Sequence, residues 1–115
     1  MQSPLNESAS VVLDASGNGT LRMKPYGGSL TWLPTIVSVK ASSNLAEAQC
    51  RVYVGPDTSD QWFVDGTLSG STGDSTDRVT GRQVDSHGHA LWAVWTGGDP
   101  GAVATMTVAG TESRP

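Results

Sequence analysis

The chain has 115 residues, a net charge of −4 and only 16% charged side chains, against about 25% in an average soluble domain. That length fits one domain with one modest core, and the acidic balance argues against a nucleic-acid binder, which needs clustered Lys and Arg. No apolar run reaches the roughly 18 residues of a membrane span, and the single cysteine, Cys50, excludes an internal disulfide framework or a multi-cysteine zinc site.

Residues 1–10 are polar and without period, and read as a flexible N-terminal arm; they have neither the basic start nor the apolar stretch of a signal peptide. From Val11 a short strand begins, with Val11 and Leu13 on one face. Asn18-Gly19 is a hairpin signal, and Thr20 to Lys24 alternates with Leu21 and Met23 inward. Leu30 to Trp32 and Thr35 to Ala41 continue the pattern, interrupted at Pro34. Ser42 to Glu47 reads as a loop, or at most one helical turn. Ala48 to Val54 is a strong strand, with Cys50, Val52 and Val54 on its apolar face and Arg51 and Tyr53 opposite.

Residues 55–88 form a long excursion rich in Asp, Gly, Ser and Thr. Trp62-Phe63-Val64 anchors it, Thr67 to Thr76 reads as a surface loop, and Thr76 to Thr80 as a short edge strand. His89 to Trp95 and Ala102 to Ala109 are the last two strands. The turn Thr96-Gly97-Gly98-Asp99-Pro100-Gly101 between them predicts a hairpin. Residues 112–115 read as a tail. The expectation is a single all-β domain over 11–111, a β-sandwich or jelly roll of seven or eight short antiparallel strands.

The candidate chemistry is sparse. Asp57, Asp60, Asp65, Asp74, Asp77 and Asp85 raise the question of calcium, but lack the spacing of the helical-loop calcium motif, and Asx turns are the favoured reading. His87 and His89 stand at strand spacing without a fixed third ligand. Cys50 reads as a core residue. There is no nucleophile elbow and no phosphate loop. No catalytic residue, metal or cofactor is expected. Four tryptophans in so small a chain are more informative. Trp92 and Trp95 differ by three, so in a strand they face opposite sides. One then lies off the core, as a protein-interface residue or, less favoured, a sugar-stacking one.

Four segments carry a resemblance. They are Val11 to Thr20, Cys50 to Gly55, Asp65 to Ser71 and Ala93 to Gly101. Together they resemble small virion-associated proteins encoded in the structural-gene clusters of tailed phages and prophages of actinobacteria. The resemblance implies a non-enzymatic structural role at the particle surface, in a protein made in the bacterial cytoplasm, and it transfers no catalytic residue. The expected role is a head-decoration or capsid-cementing protein on the major capsid protein lattice, with self-association. Pro4, Leu5 and the exposed one of Trp92 and Trp95 are the expected partner anchors. A tail or head–tail connector component and a carbohydrate-binding module are the alternatives.

Overall fold

Apolar residues at every second position turn most patterned segments into strands. A computed structural model of the chain describes residues 2–114. Among them are nine strands: β1 (Gln2–Val12), β2 (Gly19–Met23), β3 (Thr31–Ala41), β4 (Ala48–Gly55), β5 (Phe63–Ser69), β6 (Asp74–Thr76), β7 (Val84–Asp85), β8 (Ala90–Thr96) and β9 (Val103–Ser113). A short 3-10 turn spans Asp60–Trp62. None of the described residues lies in a helix long and apolar enough to cross a membrane.

All pairings are antiparallel. The first sheet runs β1-β9-β3-β6, with β7 also on β3, and the second runs β2-β8-β4-β5. The pairs are nested: β4 with β5, β3 with β6 and β7, β2 with β8, and β1 with β9. A long ribbon folded over itself in this way is a jelly roll, so the expected β-sandwich is the fold.

Several boundaries differ from expectation. Residues 2–10 are not a free arm: they belong to β1, which pairs with β9 from Gln2↔Ser113 to Val12↔Val103. Residue 1 lies outside the described residues. The expected tail at 112–115 is likewise in part strand, since β9 runs to Ser113, and residue 115 is outside the described residues. The excursion at 55–88 holds β5, β6 and β7, and the edge strand expected at Thr76 to Thr80 lies instead at Asp74–Thr76.

Neither predicted hairpin is one. The turns at 13–18 and 97–102 carry the chain from one sheet to the other, because β1 and β9 lie in the first sheet and β2 and β8 in the second. The two corners interlock. Gly98 N–H donates to Gly17 O at 3.0 Å, and Gly97 N–H donates to Asn18 Oδ1 at 3.2 Å. Gly17 has φ +76°, and a Cβ there would stand 2.0 Å from Gly98 O. The glycines that resemble hairpin formers are therefore required by a corner.

The core lies between the sheets. Val37, Val39, Met106 and Val108 meet Cys50, Val52, Leu91, Ala93 and Trp95. The first sheet is longer. Strands β1, β3 and β9 have 11 residues each, about 37 Å at strand rise, which accounts for most of the 46 Å long axis. The second sheet's strands are shorter, of 5 to 8 residues. The uncovered end of the first sheet is closed from the excursion. Val84, opposite Trp32 on β3, and Val79 are fully buried there, continuous with the rest of the core. Trp32 Nε1 donates to Glu112 Oε1 at 3.2 Å, which satisfies its polar edge.

Candidate functional site

Period-two alternation along β8 turns Leu91, Ala93 and Trp95 inward and Trp92 and Val94 outward. Trp95 is fully buried, and its Nε1 donates to Ser69 Oγ at 3.1 Å. It is a core residue, which removes it from the expected partner anchors. Trp92 is the half-buried one, on the outer face of the second sheet, with Nε1 donating to Gly55 O at 2.9 Å.

Leu5 is also corrected. Only 4% of it is exposed, and it belongs to the core. Pro4 is exposed on the outer face of the first sheet. Pro4 and Trp92 therefore sit on opposite faces of the sandwich, and the structure does not bring the four anchors together.

Around Trp92 the strand register builds a row that composition does not reveal. Arg22 lies opposite Trp92, Trp92 opposite Tyr53, and Tyr53 opposite Phe63, one residue from each strand of the second sheet. The Arg22 guanidinium carbon stands 5.5 Å from the Trp92 ring centre. Tyr53 and Phe63 meet edge to face at 5.8 Å. In the next row Arg51 faces Gly66, which has no side chain, and the guanidinium settles 4.8 Å over the Phe63 ring. Such stacking fixes an arginine and leaves its N–H groups available. The outward positions of β2, β8, β4 and β5 include no carboxylate, although the chain as a whole is acidic. Leu68, 53% exposed, extends the apolar area.

The outer face of the first sheet is different. One row crosses it as Ser8, Thr107, Ser38 and Ser75. Ser8 and Thr107 hydroxyl oxygens are 2.7 Å apart, and those of Ser10 and Thr105 are 2.9 Å apart. A groove of about 600 Å³ runs between this face and the 72–75 segment, lined by Ser38, Lys40, Asp74, Ser75, Thr105 and Thr107. Lys40 is the one charged side chain among the outward positions of β1, β9 and β3.

The aspartates hold the chain's own loops and corners in place. Asp57 accepts from Ser59 N–H at 2.9 Å, and Asp85 from His87 N–H at 2.9 Å and His89 N–H at 3.3 Å. Asp74 accepts from Ser75 N–H at 2.8 Å and from Thr67 Oγ1. Asp99 accepts from the N–H groups of Asn44, Leu45 and Ala46 at 2.8 to 2.9 Å, pinning the 42–47 loop to the 97–102 corner. Hydrogen bonds hold the carboxyls of Asp57, Asp74 and Asp99 below the usual aspartate range, from Ser59, from Thr67, and from Leu45 and Asn44 respectively. Among the described residues no three His, Cys, Asp or Glu side chains gather at one point.

The two histidines diverge. His87 Nε2 lies 2.7 Å from Gly28 O. His89 stands edge-on to Trp62 at 5.9 Å, with Nδ1 3.7 Å from Asp85 Oδ2. A pocket of about 290 Å³ opens there, lined by Val54, Trp62, Arg82, Gln83, Asp85 and His89. The Trp62 Nε1 is buried and has no hydrogen-bond partner among the described residues. Cys50 is fully buried, and burial pushes its thiol up to about 12, against a lowering hydrogen bond at Val94. At neutral pH it is an inert thiol.

The Arg22–Trp92–Tyr53–Phe63 row was not visible in the sequence. Alternation marks Arg51 and Tyr53 as outward, but only the register between four strands lines them up. No protein-family model matches the chain, and comparison with curated proteins finds no significant relative.

Proposed function

We propose that the chain is a non-enzymatic structural protein of a tailed-phage virion, a decoration or cementing protein that docks on the major capsid protein lattice through the outer face of its second sheet. The observation that carries this reading is the Arg22–Trp92–Tyr53–Phe63 row, flanked by Arg51 and free of carboxylates in an acidic chain. Trp and Arg, here Trp92, Arg22 and Arg51, are among the residue types that dominate binding energy at protein interfaces, and Tyr53, itself buried, packs between Trp92 and Phe63. A cation-only aromatic face selects a partner surface with acidic groups. Weak docking of one copy becomes firm attachment when copies also touch each other on a lattice. The segments resembling phage virion proteins, with Trp95 and Gly97 to Gly101 among them, support the same role.

The test is reattachment of purified chain to particles stripped of it. Trp92→Ala and Arg22→Glu, both on the outer face, are expected to lower occupancy at least about tenfold, the size of one interface hot spot. Their melting temperatures should stay within a few degrees of the parent. Unchanged occupancy for both variants contradicts docking through this face.

A second reading has its own observation. The pocket of Trp62, Arg82, Gln83, Asp85 and His89, with a Trp62 Nε1 that has no partner among the described residues, has the mixture of ring and polar groups that suits one sugar residue. A glycan-binding module would show a Trp emission shift with oligosaccharide that Trp62→Phe abolishes.

A further inference from the structure

Among the described residues strand β1 ends its sheet, paired with β9 on one side only. Its hydrogen-bonding phase can be read at its end. Leu13 N–H donates to Ala102 O at 2.8 Å, and Leu13 O accepts from Gly101 N–H at 3.0 Å, so residue 13 bonds toward the β9 side. By the two-residue period of an antiparallel ladder, residues 3, 5, 7, 9 and 11 do the same. The even residues then aim their backbone groups out of the sheet. Pro4 is consistent with this phase, because its missing N–H falls on the open edge and costs the β1–β9 ladder nothing.

The open edge thus offers the N–H and C=O groups of Asn6, Ser8, Ser10 and Val12, a stretch without proline. Edge strands of this kind pair with further strands unless something blocks them. Glu7 is the only charged residue in Gln2–Val12. The midpoint of residues 6–12 is Ala9, and about that point the stretch complements itself.

We propose that β1 pairs antiparallel with β1 of a second copy across a two-fold axis at Ala9, joining the two first sheets into one. Ser8 then faces the partner's Ser10 and Asn6 faces the partner's Val12, with two bonds per facing pair, about eight in all. Ala9 meets Ala9 in a non-hydrogen-bonded pair, where small side chains permit close approach. Glu7 faces the partner's Val11 and not the partner's Glu7, so no like charges are opposed. A register centred on Ser8 makes about as many bonds but sets Pro4 against the partner's Val12, whose carbonyl is then left without a donor at both ends of the ribbon. The self-complementarity about Ala9 is what selects a second copy over an unrelated strand. This interface is separate from the Trp92 face and does not depend on the virion reading.

Cysteine scanning tests it, since native Cys50 is fully buried. In a non-hydrogen-bonded pair the two Cα atoms stand about 4.5 Å apart, within disulfide reach. Under mild oxidation Ala9→Cys is expected to give a covalent dimer on a non-reducing gel, at least about tenfold faster than Ser8→Cys, with unchanged Trp emission. Ser10→Pro, which removes an outward N–H and leaves the β1–β9 ladder intact, is expected to run as a monomer by light scattering where the parent runs as a dimer. Amide exchange in the unmutated chain gives a readout free of substitutions. The Asn6, Ser8, Ser10 and Val12 amides should become about tenfold slower from dilute to concentrated solution. An Ala9→Cys chain that folds but stays monomeric, equal crosslinking through Ser8→Cys, or exchange independent of concentration overturns the proposal.

Discussion

Two residues change meaning between sequence and structure. Leu5 stands alone among polar neighbours, and its isolation reads as an anchor on a free arm. It is instead a core residue reached by an edge strand that is otherwise exposed. Leu5→Ala is expected to destabilise the fold by about 2–5 kcal/mol in denaturant unfolding, the range for a buried leucine. A free-arm residue would leave stability unchanged. Asp99 is the other. It sits in a run of turn formers, and its carboxylate collects three backbone N–H groups of a loop more than fifty positions away. Its pKa is depressed in the folded chain, chiefly by the Leu45 and Asn44 bonds. The stability it contributes is therefore present above the ordinary aspartate range near pH 4 and is lost as pH falls through the lowered value. Asp99→Ala should melt below the parent at pH 7, and the gap should close on acidification below about pH 4. A gap constant with pH would contradict the charge-based role. Trp92 and Trp95 needed no structure to be separated, because a spacing of three in a strand sends them to opposite faces.

At the scale of elements, strands with one buried face were legible and those without were not. Cys50-Val52-Val54 and Leu91-Ala93-Trp95 alternate because one face is core. Strand β1 has little alternation from Gln2 to Ser8, since most of its side chains meet water on either face, and its partner lies about a hundred positions away. The corners misled for a different reason. Glycine-rich turns look alike whether the chain reverses within a sheet or crosses to the other, and only long-range pairing distinguishes them. Pro34 correctly marked an interruption. The structure places a bulge there, between Pro34 and Ile36, opposite Gly110. Thr80 Oγ1 donates to Thr35 O at 3.0 Å, giving the bulged carbonyl a partner. A Cβ at Gly110 would stand 2.3 Å from Leu33 O and 2.8 Å from Pro34 Cα, both backbone atoms that cannot step aside. Gly110→Ala is expected to cost about 1–3 kcal/mol, the scale of local backbone strain, measured as a lower denaturation midpoint with unchanged slope. An unaltered midpoint would show that the bulge relaxes.

For the whole molecule, the two outer faces divide the work. The second sheet presents arginines stacked on rings, and the first presents rows of hydroxyls with a single lysine and an open edge. Under the proposed role these are surfaces for neighbours, while the aspartates hold the chain's own loops in place. This is the pattern expected of a chain that acts by being attached and repeated. The fold class followed from strand spacing and turn density. The proposed docking face did not, because it is a property of register between four strands. The most direct test of the virion role is a count of this chain against the major capsid protein in purified particles by quantitative mass spectrometry. A ratio near one, or a simple fraction of it, is the expected result for a lattice-bound decoration protein, whereas absence of the chain from the particles contradicts the virion role outright.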